Sequence, residues 1–116
     1  MSTRACVHFC HDDKSTAAII YRHSDGYPEG LGEDLKAFLK EVKDNLNDKR
    51  FGDPNYLAAK FVVWQAKQYA SNKHYLDFLS IGVMLQDAGD IEYRYKIICN
   101  RGYDSKEIPE IITEKV

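Results

Sequence analysis

Hydrophobic and polar residues alternate along the first part of the chain. Ala5, Val7 and Phe9 fall on one face of an extended segment, and the residues between them fall on the other. The polar segment 11–15 has the length of a hairpin loop, and the run 16–23 that follows is rich in β-branched and aromatic residues. This pattern predicts an antiparallel β-hairpin.

Two amphipathic helices are predicted in the middle of the chain. Apolar residues recur at steps of three and four in the first helix, at Leu31, Leu35, Phe38, Leu39, Val42 and Leu46. The second helix is expected to begin at Asp53 and Pro54, because Asp is a favoured N-cap and Pro a favoured first helical residue. Its inner face is expected to carry Leu57, Phe61, Trp64 and Gln68. Residues 71–73 (Ser-Asn-Lys) are expected to end it.

The last third of the chain is β-prone. Residues 78–86 predict a buried strand, residues 87–90 a tight turn, and residues 91–99 a strand in which apolar and charged positions alternate. Residues 108–116 predict a short fifth strand, which Pro109 would confine to a sheet edge.

The order of the elements is therefore β-β-α-α-β-β, with the fifth strand as an addition at the end. Strands joined by short turns form antiparallel pairs, and two helices between the hairpins can cover one sheet face. We expect an α+β fold: a two-layer sandwich with an antiparallel sheet of four to five strands and two helices on one face. Residues 1–116 are expected to form a single domain.

Composition and charge narrow the class of protein. The chain is 44% hydrophobic, so it can bury a core, and its formal net charge of −2 gives no sign of the basic surface of a nucleic-acid binder. It has no apolar run of about 18 residues and no signal-peptide pattern, so we expect a cytoplasmic protein without membrane contact. An odd number of cysteines, three, indicates free thiols in a reducing compartment.

The segment YRHSDGYPEGLG contains the first group of candidate site residues. His23 with Asp25 could form an oriented general base, and Arg22 with Tyr27 could bind a phosphate or a carboxylate. A structural interpretation is favoured, because Asp-Gly and Pro are turn-forming residues that would connect a strand to a helix. The lysine and the glycine spacing of a phosphate-binding loop are missing.

A second group follows in the late strand, at Tyr93, Arg94, Tyr95 and Lys96, with Arg101 and Tyr103 nearby. Alternating aromatic and basic residues could stack on and grip nucleotides. An amphipathic strand, with Tyr in the core and charges in water, produces the same pattern and is the commoner case.

Metal-ligand residue types are concentrated near the N-terminus, at Cys6, His8, Cys10 and His11. Alternate residues of a strand lie roughly 6.6 Å apart, which is too wide for one tetrahedral ion. We therefore expect cysteine packing, with no metal and no other cofactor.

Three motifs occur together in this chain: an initial Met-small-Thr-Arg, a Tyr-x-His-x-Asp-Gly-Tyr-Pro-x-Gly turn, and an acidic-Tyr-x-Tyr strand. In these the chain resembles a family of small uncharacterised proteins carried by bacteriophages and prophages, and the resemblance covers most of its length. The matching residues are Thr3, Arg4, Tyr21, His23, Asp25, Tyr27, Pro28, Gly30, Tyr93 and Tyr95. The resemblance implies a phage or mobile-element origin but no particular activity. The cysteine-rich CVHFCH departs from the family pattern.

The sequence supports three functional hypotheses. The leading one is a phage or mobile-element accessory protein that acts by stoichiometric binding rather than catalysis, as an inhibitor of a host defence system (anti-CRISPR-like or other). It would bind a host or phage protein and associate into a homodimer or higher oligomer through an exposed sheet face or edge. The second is a small-ligand or nucleotide-binding protein, or a weak hydrolase, that uses the loop 22–27. The third is a structural role in the virion.

The residues expected to bind a ligand or partner are Arg22, His23, Asp25, Tyr27, Arg94, Tyr95 and Arg101. No catalytic residue is assigned, and a nucleic acid or nucleotide is the alternative to a protein partner.

Overall fold

Five strands and two long helices form the chain in the computed structural model, which describes residues 2–68, 71–102 and 104–116. The strands are β1 (Ala5–Cys10), β2 (Thr16–Arg22), β3 (Ile81–Met84), β4 (Tyr93–Ile98) and β5 (Glu110–Lys115). The helices are α1 (Glu33–Asn45), α2 (Pro54–Lys67) and the short α3 (Tyr75–Phe78). A π-helical turn at Pro28–Gly32 leads directly into α1.

The sheet has the order β3-β2-β1-β4-β5. Neighbouring strands are antiparallel except for the central pair β1 and β4, which is parallel, with Val7 opposite Tyr95. The predicted α+β two-layer sandwich is confirmed, with five strands, although the sheet is mixed rather than wholly antiparallel. Strand β5 lies at an edge, directly after Pro109.

The mixed sheet arises because residues 87–90 do not close a hairpin. Strands β3 and β4 run parallel and are separated by β2 and β1, so the connecting residues 85–92, here called the crossover segment, pass across the sheet. The predicted strand 78–86 is also too long. Helix α3 occupies its start, and the remaining β3 is a half-exposed edge strand rather than a buried one.

The α2 N-terminus forms as its sequence predicts. The Asp53 carboxylate accepts a hydrogen bond from the Tyr56 backbone N–H at 3.2 Å, and Pro54 occupies the first turn. The inner face of α2 is rotated by part of a turn from the predicted one. Gln65 is buried, whereas Trp64 is half-buried and Gln68 is exposed. The spacing of Leu57, Phe61 and Gln65, four residues at each step, places all three side chains on one helix face.

The main core lies between the helices and one sheet face, here called the helix side. Its largest fully buried side chains are Tyr95, Phe9, Phe38, Phe51 and Phe61. The Phe38 and Phe61 rings lie 5.1 Å apart between centroids, so aromatic contacts join α1 to α2.

The other sheet face, here called the crossover side, is covered by the crossover segment. A small apolar cluster of Cys6, Ile19 and Ile91 is buried there, with Met84 and Ala88 packed against it. Both faces of the central strands are therefore shielded from water, one by helices and one by eight residues of irregular chain. Within the described ranges, no helix is long and apolar enough to cross a bilayer.

Candidate functional site

Arg22 fastens the end of β2 to the start of α1. Its Nη1 donates a hydrogen bond to Asp34 Oδ2 at 2.7 Å, and its Nε donates to the carbonyl of Ser24 at 2.9 Å. The side chain is only 16% exposed, so this ion pair is partly shielded from solvent. Arg22 consequently lies on the helix side, away from Arg94.

His23 is oriented by neighbours other than the aspartate that the sequence placed beside it. Its Nδ1 lies 2.8 Å from the Tyr21 hydroxyl and accepts a hydrogen bond from Arg4 Nε at 3.3 Å. Arg4 also donates to Asp90 in the crossover segment at 2.7 Å. The possible pairing of His23 with Asp25 as an oriented base is therefore not formed, and His23 belongs to a network on the crossover side.

The turn after β2 is held by hydrogen bonds of its own. Asp25 has a left-handed φ of 55°, its carbonyl accepts from the Leu31 N–H at 2.8 Å, and its carboxylate accepts from the Tyr27 hydroxyl at 3.2 Å. A Cβ at Gly30 would overlap the Asp25 carbonyl, so glycine is required there. The hydrogen bond to Asp25 raises the pKa of Tyr27. The favoured interpretation of this segment as a strand-to-helix connection matches these contacts.

Tyr95 does not lie on a surface where a partner could reach it, which corrects its place among the candidate binding residues. Its side chain is fully buried, and its hydroxyl donates to the Gly26 carbonyl at 2.7 Å. Burial raises the pKa of Tyr95 to about 12, so the phenol remains a hydrogen-bond donor. Tyr95 therefore anchors the 22–32 turn to the sheet. Arg101 is exposed in the loop after β4, and Tyr103 lies outside the described residues.

Arg94 lies on the crossover side in a chain of charged groups. Its Nε donates to Asp87 Oδ2 at 2.8 Å, and the other carboxylate oxygen of Asp87 lies 2.6 Å from His8 Nε2. Burial alone would raise the pKa of Asp87, but the hydrogen bonds from His8 and Arg94 outweigh it and lower that pKa. Glu114 lies 3.9 Å from Arg94 Nη1 and 3.4 Å from Lys96 Nζ, so β5 joins the same network.

Asp87 is the centre of this network, and no local sequence pattern singles it out. With a proton on Nε2, His8 donates to Asp87, and its Nδ1 accepts from the Thr16 hydroxyl at 2.9 Å. This order of hydroxyl, imidazole and carboxylate is also found in hydrolases. Here both Asp87 oxygens are occupied by basic side chains, and the three residues tie the crossover segment to β1 and β2. The arrangement serves to hold the segment against the sheet.

The three cysteines are buried thiols. Burial raises the pKa of Cys6 and Cys10, and it raises the pKa of Cys99 to about 12. Each thiol is therefore protonated near neutral pH and a poor nucleophile. No group of three or more His, Cys, Asp or Glu residues within the described part of the chain could hold a metal ion.

An open apolar groove with a volume of about 620 Å³ lies between α1 and α2. Its α1 wall includes Phe38 and Val42, and its α2 wall includes Tyr56, Val63 and Trp64. This volume is within the range of binding pockets, roughly 300–1,000 Å³. We refer to it below as the helix groove.

The helix groove forms because α2 carries apolar residues on two sides. Leu57 and Phe61 face the sheet, whereas Tyr56 and Val63 remain 53% and 68% exposed. This outer stripe was not among the predicted features of α2, for which one inner face was expected. The spacing Tyr56, Lys60, Val63 and Lys67 could have revealed it, because steps of four and three mark one side of a helix.

Comparison with models of known protein families, with curated proteins and with solved structures finds no match for this chain.

Proposed function

We propose that this protein acts without catalysis, by binding a partner protein in the helix groove. The observation that supports this proposal is an open groove of about 620 Å³ between α1 and α2, lined by apolar side chains that include Phe38, Val63 and Trp64. Contiguous apolar surface of this kind is uncommon on monomeric proteins and marks interaction sites. A groove between two helices accepts the apolar face of a third helix.

The charges at the rim indicate the partner's chemistry. The α1 wall carries Glu41, and the α2 wall carries Lys60 and Lys67. A partner helix would therefore place an apolar stripe in the groove, with acidic residues beside α2. Such opposite charges at the rim mainly fix the orientation of the bound helix and increase its association rate.

The resemblance to phage and prophage proteins supports a more specific form of this proposal. The protein would be a phage or mobile-element product that inhibits a host defence protein. It would do so by occupying a surface that the host protein needs for its own activity. It would act in the host cytosol, where three buried free thiols are compatible with reducing conditions.

The proposal is tested with two matched variants. Val63→Glu places a charge in the groove, and Leu76→Glu introduces the same charge at a position in α3 that is also 68% exposed. Host proteins captured on the immobilised chain are identified, and the purified partner is titrated by calorimetry. We expect Val63→Glu to weaken its affinity about tenfold or more, equivalent to about 1.4 kcal/mol. Leu76→Glu should leave the affinity unchanged. Equal affinities for the wild type and Val63→Glu would exclude the helix groove.

We further propose that two copies pair through the β3 edge. Strand β3 has the uncharged sequence IGVM, and Val83 within it is 79% exposed. Such an edge can pair antiparallel with its own copy without repulsion between like charges. The other edge strand, β5, carries the charged residues Glu110, Glu114 and Lys115, which disfavour pairing with a second copy. Native mass measurement should show a dimer for the wild type and for Thr113→Glu in β5, and a monomer for Val83→Glu. A monomeric wild type would refute this pairing.

A further inference from the structure

The outer edge of β3 presents its backbone hydrogen-bonding groups in a fixed order. Strand β3 ends the sheet on one side and pairs antiparallel with β2. The His23 N–H donates to the Ser80 carbonyl at 2.8 Å, so these two residues, which continue the register of β2 and β3, form a hydrogen-bonded pair. Such pairs occur at every second position of an antiparallel ladder. The backbone groups of Gly82 and Met84 therefore point at β2.

Ile81 and Val83 point their N–H and C=O groups the other way, towards the outer edge. Val83 lies opposite Ile20, a residue of the main core, so its side chain is on the helix side of the sheet. That side chain is largely exposed, and Leu85, directly after the strand, is fully exposed. An extended chain added at this edge would gain both backbone hydrogen bonds and apolar contacts.

The sequence of residues 81–85, IGVML, is complementary to a second copy of itself. With a two-fold axis at Val83, this residue lies opposite its own copy, Ile81 lies opposite Leu85, and Gly82 lies opposite Met84. The pairs on the helix side are then wholly apolar, and each Met84 side chain lies opposite a glycine that leaves room for it. No charged residue enters the paired segment.

The two neighbouring registers fit less well. An axis at Gly82 would place two glycines opposite each other and leave the exposed Leu85 outside the paired segment. An axis at Met84 would place two methionines opposite each other and bring Ile81 against the charged Asp87. Register in a sheet is fixed by the match of side chains on each face, so the axis at Val83 is favoured.

We propose that two copies pair through β3 about a two-fold axis at Val83, which joins their two sheets into one continuous sheet. This inference rests on the edge pairing proposed above and adds its register. Backbone hydrogen bonds then link Val83 to its own copy and Ile81 to Leu85 of the second copy. Residues opposite each other point to the same face of a sheet, so both helix layers lie on the same side.

The register is tested by introducing single cysteines into the full chain. Opposite Cα atoms of a hydrogen-bonded antiparallel pair lie about 5.5 Å apart, which a disulfide can span. Under mild oxidation, Val83→Cys should therefore convert most of the protein into a covalent dimer on non-reducing electrophoresis. Thr113→Cys places a thiol at an exposed position of the other edge strand and should stay monomeric on the gel. The wild type should do the same, because its three thiols are buried.

A mixture of two variants, carrying tags of different mass, locates the axis independently. Ile81→Cys mixed with Leu85→Cys should form a covalent heterodimer. Either variant alone should form little covalent dimer, because its two thiols lie four residues apart along the strands, roughly 14 Å.

The outcomes separate the register from the edge pairing on which it rests. Cross-linking of Ile81→Cys with Val83→Cys, but not of Val83→Cys with itself, would move the axis to Gly82 and overturn the register while leaving the edge pairing intact. Equal cross-linking of Val83→Cys and Thr113→Cys would reflect random collisions and would also overturn it. A wild type that is monomeric by native mass measurement would refute the edge pairing and the register together.

Discussion

The two faces of the sheet are closed by different kinds of interaction, although the same alternating strands build both. On the helix side, large side chains such as Phe9 and Phe61 are fully buried beneath α1 and α2. On the crossover side, a small cluster around Cys6 is covered by residues 85–92, and Asp87 holds that cover through His8 and Arg94. One face depends on apolar area and the other on a few charged hydrogen bonds.

The difference between the two faces shows that a short irregular segment can cover a sheet face when ion pairs supplement a small apolar contact. Hydrophobic stabilisation scales with buried area, so the helix side should contribute most of the free energy of unfolding. The crossover side should respond more strongly to changes in charge and pH. The cysteines provide a probe of each face, because the reactivity of a thiol reports its exposure to solvent. Cys6 lies in the crossover cluster and Cys99 in the main core.

The largest effect is expected from truncating the helix-side core. Phe61 is fully buried and contacts Phe9 and Phe38, with ring centroids 6.0 Å and 5.1 Å away. Phe61→Ala should lower the free energy of unfolding by about 3–5 kcal/mol, measured by urea denaturation. The control is Val63→Ala, which removes exposed atoms from the same helix and should change the free energy by less than about 0.5 kcal/mol. Similar losses for both variants would contradict the assignment of this core.

A smaller effect is expected when the crossover cover loses its central carboxylate. In Asp87→Asn, an amide nitrogen replaces one acceptor oxygen and cannot accept from His8 or Arg94. We expect a loss of about 2 kcal/mol in the free energy of unfolding. Cys6 should also react with a thiol reagent faster than in the wild type, while the rate for Cys99 stays the same.

The matched control for that substitution is Asp44→Asn, which breaks an ion pair of the same 2.6 Å length. Asp44 pairs with Lys40 on the exposed face of α1, where water screens the interaction, so its loss should be much smaller. If Asp44→Asn destabilised the protein as much as Asp87→Asn, the crossover network would have no special role.

Removing one hydroxyl from the helix side should have a more modest effect. Tyr95→Phe leaves the buried Gly26 carbonyl without its donor, for a loss of about 1–2 kcal/mol in the free energy of unfolding. Hydrogen exchange should accelerate in the 22–32 turn rather than in the crossover segment. Tyr75→Phe, at a residue that is 40% exposed, should leave both measurements unchanged. Unchanged exchange in the turn of Tyr95→Phe would show that the hydroxyl is not its anchor.

The smallest expected effect is a pH dependence of the free energy of unfolding that arises from Asp87 on the crossover side. Because the pKa of Asp87 is lowered by folding, its stabilisation is fully present above the unfolded value of about 3.9. It is lost as the pH falls through the lower folded value. The stability difference between the wild type and Asp87→Asn should therefore shrink as the pH falls below about 4. A difference that did not shrink as the pH fell would assign the stabilisation to another group.

Much of the fold follows from local patterns. The alternation in 91–99 placed Tyr95 and Ile97 on one face and Arg94 and Lys96 on the other, and the structure has them so. The predicted cap at Asp53 is present as well. The inner face of α2 differs from the predicted one, because the four-residue spacing from Phe61 places Gln65 rather than Trp64 there.

The site was less predictable, because its contacts join residues distant in the chain. His8 and Asp87 are 79 positions apart, and no local pattern relates them. The group Arg22, His23, Asp25 and Tyr27 was identified as a unit, yet Arg22 bonds to α1 whereas His23 bonds to Arg4 and Tyr21. Adjacent residues of a strand point to opposite faces, so neighbours in sequence became members of different networks.

By itself, the sequence determined the types of the elements, their order and the apolar face of most of them, because periodicity and capping act within a few residues. The tertiary structure alone decided that β4 pairs with β1 in parallel and that residues 85–92 cross the sheet instead of turning back. A polar turn between two strands is equally compatible with a hairpin and with a crossover. The choice depends on which arrangement buries Cys6, Ile19 and Ile91 and satisfies Asp87, and those partners meet only in the folded chain.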